Sequence, residues 1–221
     1  MNSKTRNMVG IGLFTAIVLV LQFLGGGIKF GMFSISLVLV PIVVGSAIYG
    51  WQAGAWLGFT FGAVVLLSGD AAAFLAVDAF GTVLTVLLKG TAAGLCSGIT
   101  YKLVLIVLDR HSKRTVRVMM DKFGLGACCE SAAYDYISRN NRYFAVIASA
   151  VICPVVNTGI FLLGCQVFFL ETVAAWGAAA GFENVTGYMF LGLAGVNFLI
   201  ELAVNIFLAP VIVRLIKLKN K

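Results

Sequence analysis

Asn197, Glu201 and Asn205 recur at i, i+4 and i+8 in a stretch, 188–216, that is otherwise nearly all Leu, Ile, Val, Phe, Ala and Gly. Spacing of four stacks the three polar side chains on one helical face. Two carboxamides flanking a carboxylate can grip a small polar solute, and Glu201 can alternatively carry a proton. Lys89 and Asn157 are isolated in the same way within two earlier apolar stretches. An ionisable group in a membrane helix costs at least a few kcal/mol, so it faces protein or water and usually marks a functional site. The competing reading is glue between helices. It applies more readily to Asn157 and Asn205 than to Lys89 and Glu201, because a charge is costlier to bury than an amide.

Other chemistries find little support. The single histidine, His111, stands in a basic stretch, so a serine protease at membrane depth lacks its base. One histidine and no clustered carboxylates argue against a metal site. Cys96, Cys153 and Cys165 lie in apolar stretches, where cysteine behaves as a small hydrophobe. Cys128 and Cys129 are adjacent, and no Cys-x-x-Cys pair suggests thiol redox chemistry. We expect no catalytic residues, no metal and no cofactor. The chain also has no Gly-x-x-x-x-Gly-Lys-[Ser/Thr] loop, so energy for any transport comes from a partner or an ion gradient.

The elements that position these residues follow from composition. Hydrophobic residues make up 61% of the chain and charged ones 11%, against roughly 25% charged in a soluble domain. The mean hydropathy is +1.02. Membrane spans need about 20 mostly apolar residues, and the pattern predicts them at Val9–Leu24, Ile35–Tyr49, Trp51–Leu67, Thr82–Leu108, Tyr143–Leu170 and Gly187–Ile216. The second and third are short and joined by a tight turn, which predicts a hairpin. The expected fold is a single all-α domain over 1–221, a polytopic membrane protein built as a compact bundle of six transmembrane helices. The first apolar run, between basic residues and Gly25-Gly26-Gly27, has a superficial likeness to a signal peptide. Its length and the charge symmetry make it the first span.

Charge placement orients the bundle. Lys4 and Arg6 precede the first span, and Arg214, Lys217, Lys219 and Lys221 end the last. Lys102, Arg110, Lys113, Arg114, Arg117, Lys122, Arg139 and Arg142 surround the fourth-to-fifth connection. With both termini cytoplasmic, these 14 of the 16 basic residues fall inside. The outer loops then hold Asp70, Asp78, Glu171 and Glu183, with Lys29 as their only base. The net charge of +7 therefore reflects topology and not a nucleic-acid partner.

Glycines recur every four residues at Gly50, Gly54, Gly58 and Gly62, and again at Gly90, Gly94 and Gly98. Small residues at this spacing let helix backbones approach closely in lipid. Gly12 and Ala16 form a similar patch on the first helix, available to a partner. The loops 25–34, 69–81 and 171–186 carry aromatics that can either cover a pocket or form an interfacial belt. Phe33 and Trp176 are the candidates for the pocket. At 1.5 Å per residue, Lys89, Asn157 and Asn197 lie at roughly 11, 20 and 15 Å from the outer ends of their helices. With Glu201 one turn below Asn197, the four can line one cavity opening outward.

Three stretches resemble the substrate-binding S component of energy-coupling factor (ECF) vitamin transporters. They are Pro41…Gly45…Tyr49-Gly50…Gly54 with its glycine ladder, Lys89-Gly90…Gly94…Gly98…Tyr101-Lys102, and Asn197…Glu201…Asn205…Pro210. The resemblance implies a six-helix bacterial cell-membrane protein that captures a vitamin or related micronutrient from outside. It implies partners: a transmembrane T component and two cytoplasmic ATPase subunits, with Gly12 and Ala16 at the family's small-xxx-small docking positions. The chain departs from the family in its long cytoplasmic connection, Asp109–Arg142, expected as an amphipathic segment on the membrane surface. Two other classes remain open, an ion-coupled secondary carrier using Glu201 and a structural membrane protein without a ligand.

Overall fold

The computed structural model describes residues 3–25, 29–30, 33–34, 37–123 and 127–219. The chain runs through α1 (Ser3–Gly25), the two-residue strands β1 (Lys29–Phe30) and β2 (Phe33–Ser34), α2 (Leu39–Tyr49) and α3 (Trp51–Leu67). A single turn α4 (Ala72–Leu75) leads into α5 (Ala79–Phe123), α6 (Ala127–Phe168) and α7 (Leu170–Ala179). The last element begins as a short turn α8 (Val185–Gly187), continues as a π-helix (Tyr188–Gly195) and ends as α9 (Val196–Lys219).

Among the described residues four helices are long and apolar enough to cross a membrane: Lys4–Gly25, Ala79–Val118, Tyr136–Phe168 and Asn197–Ile216. The expected second and third spans are α2 and α3, of 11 and 17 residues. At 1.5 Å per residue they reach only about 16 and 25 Å, short of a hydrocarbon core of about 30 Å. The expected tight turn is Gly50, whose φ of 94° lies where side chains with a Cβ are disfavoured. Around it Gly45 faces Leu57, and Gly54 faces Ser46, so α2 and α3 run antiparallel.

The glycine ladders do pack backbone on backbone. A Cβ on Gly54 or Gly94 would meet the other's carbonyl, and Gly58 and Gly90 stand in the same relation. Gly62 continues the seam against the Val86 carbonyl. Such contacts give van der Waals attraction where lipid supplies no hydrophobic drive. A chain of buried hydroxyls ties α2, α5 and α6: Ser46 Oγ lies 3.1 Å from Ser97 Oγ, which lies 2.8 Å from Ser149 Oγ. Ser149 Oγ also donates to the Ser97 carbonyl at 3.0 Å. The core around this seam includes Leu39, Ile42, Leu57, Phe61, Val146 and Ile212.

Two expectations need revision. In the connection 109–142, expected as an amphipathic segment on the membrane surface, α5 continues to Phe123 and α6 begins at Ala127. Those residues prolong the axes of two spanning helices instead of forming a separate surface segment. Asn141 clamps them by donating to Asp109 Oδ1 at 2.8 Å and to Ser112 Oγ at 2.9 Å. The loop 171–186 contains α7, which buries Val173 in a second cluster with Phe74, Cys165 and Phe169 and sets Gly177 against Tyr188.

Candidate functional site

A cavity opens between α3, α5, α6 and the last helix, lined by Phe61, Phe74, Lys89, Asn157, Asn197 and Glu201 among others. Its empty volume, open mouth included, is ≈ 850 Å³. Four of the six predicted solute-binding residues therefore share one cavity. Lys89 projects from α5 one residue before Gly90, so the close seam with α3 holds its backbone in place. Its Nζ lies 5.1 Å from the ring centroid of Phe161, a cation–π contact.

Asn157 and Glu201 are buried, at 6% and 7% exposure. The side-chain oxygens of Asn157 and Asn197, and that of Asn205 outside the cavity, are buried with no hydrogen-bond donor among the described residues. A buried acceptor without a donor costs about 1–3 kcal/mol. A bound molecule presenting N–H or O–H groups would remove that cost, so the lining suits a hydrogen-bonding solute.

Both helices that carry these amides depart from regular geometry just before them. Pro154 has no N–H to give to the Ala150 carbonyl, about one turn ahead of Asn157 and two ahead of Phe161. The eight-residue π-helix Tyr188–Gly195 ends two residues before Asn197. π-Helical turns are rare and concentrate at functional sites. Leu193 and Ala194, within it, also line the cavity.

Asn205, third in the sequence stripe, does not reach the cavity. It is 1% exposed, and its Nδ2 donates to the Glu201 carbonyl at 2.8 Å. Trp176 is not in the lining either. It packs edge-on against Phe74 with centroids 5.3 Å apart, and Phe74 in turn meets Phe161 at 5.7 Å and Phe169 at 5.1 Å. Trp176 thus supports the aromatic wall from behind. Phe33 pairs with Phe30 across the two-residue ladder, and its side chain lies outside the described residues.

Residues missed by sequence reasoning complete the lining. Asp70 was assigned only to an outer loop, yet it lines the cavity and accepts from Gln22 Nε2 at 2.7 Å and Ser68 Oγ at 3.1 Å. Gln22 is 2% exposed, and as a lone amide in an apolar helix it carried the same signal as Asn157. Thr82, Thr85 and Thr158 add hydroxyls, and Phe169 and Phe198 add ring surface.

The docking pair lies elsewhere. A Cβ on Gly12 would have nothing within 4 Å, and Ala16 is exposed beside it. α1 is engaged on other faces: a Cβ on Gly10, on the far side, would strike the Tyr49 hydroxyl, and Trp56 Nε1 donates to Thr15 Oγ1, flanking the patch, at 3.3 Å. Among the described residues no group of three or more His, Cys, Asp or Glu is placed to hold a metal ion.

Residues 6–213 match the family model described as ECF transporter, substrate-specific component. No curated protein and no solved structure matches the chain.

Proposed function

The chain belongs to the family of ECF transporter substrate-specific components, a multi-pass membrane protein and transport subunit, and on that premise we propose that its cavity captures a vitamin-like micronutrient from outside the bacterial cell. A T component and two cytoplasmic ATPases then drive its uptake. The observation that carries this reading is the convergence of Lys89, Asn157, Asn197 and Glu201, from three apolar helices, on one cavity. In this reading the short α2–α3 hairpin completes six membrane segments, with both termini cytoplasmic.

The residues would divide the work as follows. Asn157 and Asn197 accept hydrogen bonds from the solute, which relieves their own unpaired oxygens. Lys89 and Glu201 hold opposite charges at the wall, ready to neutralise each other or to part for the charges of the solute. The rings of Phe61, Phe74 and Phe161 supply apolar faces, in keeping with pockets that are mostly apolar with a few directing polar groups. Trp176 stiffens Phe74. Gly12 and Ala16 present a flat, unpartnered patch on α1 for the T component.

Mass spectrometry of small molecules that co-purify with the detergent-solubilised chain, followed by calorimetric titration of the identified solute, tests the reading. We expect one solute at near-stoichiometric occupancy and no uptake by the chain alone. Proton-dependent uptake by the chain alone would instead make Glu201 the proton site of a secondary carrier.

A further inference from the structure

The face of α5 that points away from the bundle turns from apolar to mainly basic over 103–117, with Lys102 exposed at its edge before and Val118 after. Leu103, Ile106 and Val107 are exposed at 56%, 38% and 63%. Arg110, Lys113, Arg114 and Arg117 are exposed beyond them. Together these positions follow i, i+3, i+4, i+7, i+10, i+11 and i+14, one continuous stripe on a helix of 3.6 residues per turn. The opposite face is turned inward: Ser112 and Val116 are 7% and 5% exposed.

The junction falls at a marked level of the molecule. On α6, Phe144 is exposed at 52% and adjoins Tyr143 and Arg142, an aromatic–basic pairing of the kind found at membrane interfaces. The Asn141–Asp109–Ser112 clamp lies at the same height. Whatever covers Leu103, Ile106 and Val107 is apolar, and it meets the basic residues without any change of azimuth. Acyl chains ending in headgroups have that form. A protein partner would need an apolar surface and an acidic surface in register over the same line.

We propose that Arg110, Lys113, Arg114 and Arg117 form a docking face for anionic phospholipid headgroups, continuous with the acyl-covered face of α5. The four span about 10 Å along the helix. The headgroup layer is roughly 5–8 Å deep on each side, and charge attraction extends about 8–10 Å further at physiological salt. All four therefore lie within reach of lipid phosphates, and the arginines can hold a phosphate by two parallel N–H···O bonds. This reading requires only that α5 crosses the membrane and is independent of what the cavity binds.

The test uses the full chain in detergent with equal amounts of phosphatidylglycerol and phosphatidylcholine, and counts retained lipids by native mass spectrometry. Each basic side chain near an anionic surface contributes roughly a fivefold change in partition. The wild type should therefore retain phosphatidylglycerol over phosphatidylcholine by about tenfold or more, decreasing as salt is raised. Arg110→Gln with Arg114→Gln and Arg117→Gln should remove most of that preference, leaving no more than the roughly fivefold due to Lys113. The corresponding triple change to Lys should keep most of it, and serves as the test if the Gln variant does not fold. A wild type without the preference, or a folded Gln variant that keeps it, overturns the proposal. Arginine-dependent binding of the T component without any lipid preference also overturns it, and assigns the face to protein.

Discussion

Gly58 and Gly90 stand so close that a methyl group on either would meet the carbonyl oxygen of the other. Neither backbone can yield without opening the seam between α3 and α5, and Lys89 is the next residue in the chain. We predict that Gly90→Ala destabilises the protein by at least about 1–3 kcal/mol, the usual cost of overpacking, and weakens solute binding as well. Gly12→Ala, where a Cβ meets nothing within 4 Å, should leave both unchanged. Thermal unfolding in detergent, with and without the co-purified solute, separates the two. Equal stability of both variants would contradict the packing described for the seam.

In the proposed reading Lys89 and Glu201 offset each other at the cavity wall, and removing one charge of such a pair costs about 3–5 kcal/mol. A charge-assisted bond to a ligand is worth roughly 1.5–3 kcal/mol, or one to two decades in dissociation constant. Lys89→Met should therefore weaken solute binding at least about tenfold. Combining it with Glu201→Gln should restore folding without restoring affinity. Asn205→Ala should change affinity little, since Asn205 bonds the Glu201 carbonyl outside the cavity. Calorimetry on each purified variant checks this, and unchanged affinity in Lys89→Met would reduce the pair to helix glue.

The parts of this arrangement that were legible in the sequence share one cause. Lys89, Asn157, Asn197 and Glu201 are polar residues in apolar surroundings, and the cost of burying them makes them conspicuous. The glycine ladders were legible for a related reason, since a repeat of four gives one face of a helix. Asp70 was hidden because a carboxylate in a loop is unremarkable until Gln22, from a distant helix, is seen to bond it. The π-helix before Asn197 has no compositional mark at all. The course of α5 beyond Leu108 was obscured by charge: basic residues end an apolar run without ending a helix, because Arg and Lys are good helix formers.

The α1 patch makes a different demand. Bulky side chains at Gly12 and Ala16 should block close approach of a partner helix. Gly12→Leu with Ala16→Leu is expected to abolish uptake by the assembled transporter while leaving solute binding to the isolated chain within about twofold. Uptake in cells and calorimetry on the purified variant measure the two halves. Loss of both together would place the patch inside the bundle.

Orientation is open to labelling in whole cells. Ser112 is a poor reporter because it is buried against Asn141, and Gly177 packs on Tyr188. His111 and Ala178 are exposed neighbours. A cysteine at His111 should resist a membrane-impermeant thiol reagent until the cells are opened, and one at Ala178 should react at once. The reverse pattern would invert the topology.

The unbroken course of α5 and α6 past the Asn141 clamp also has a mechanical meaning. About 14 residues of each helix extend beyond it, an arm of roughly 20 Å. A tilt of about 10° in the membrane-embedded halves would carry the far end of that arm through roughly 3–4 Å, given its length. A reorientation of the cavity wall formed by α5 would thus reach the arm through one continuous helix, whereas in α6 Pro154 lies between the cavity residues and the arm. α5 carries both Lys89, which lines the cavity, and this arm, so the cavity wall and the arm share one helix.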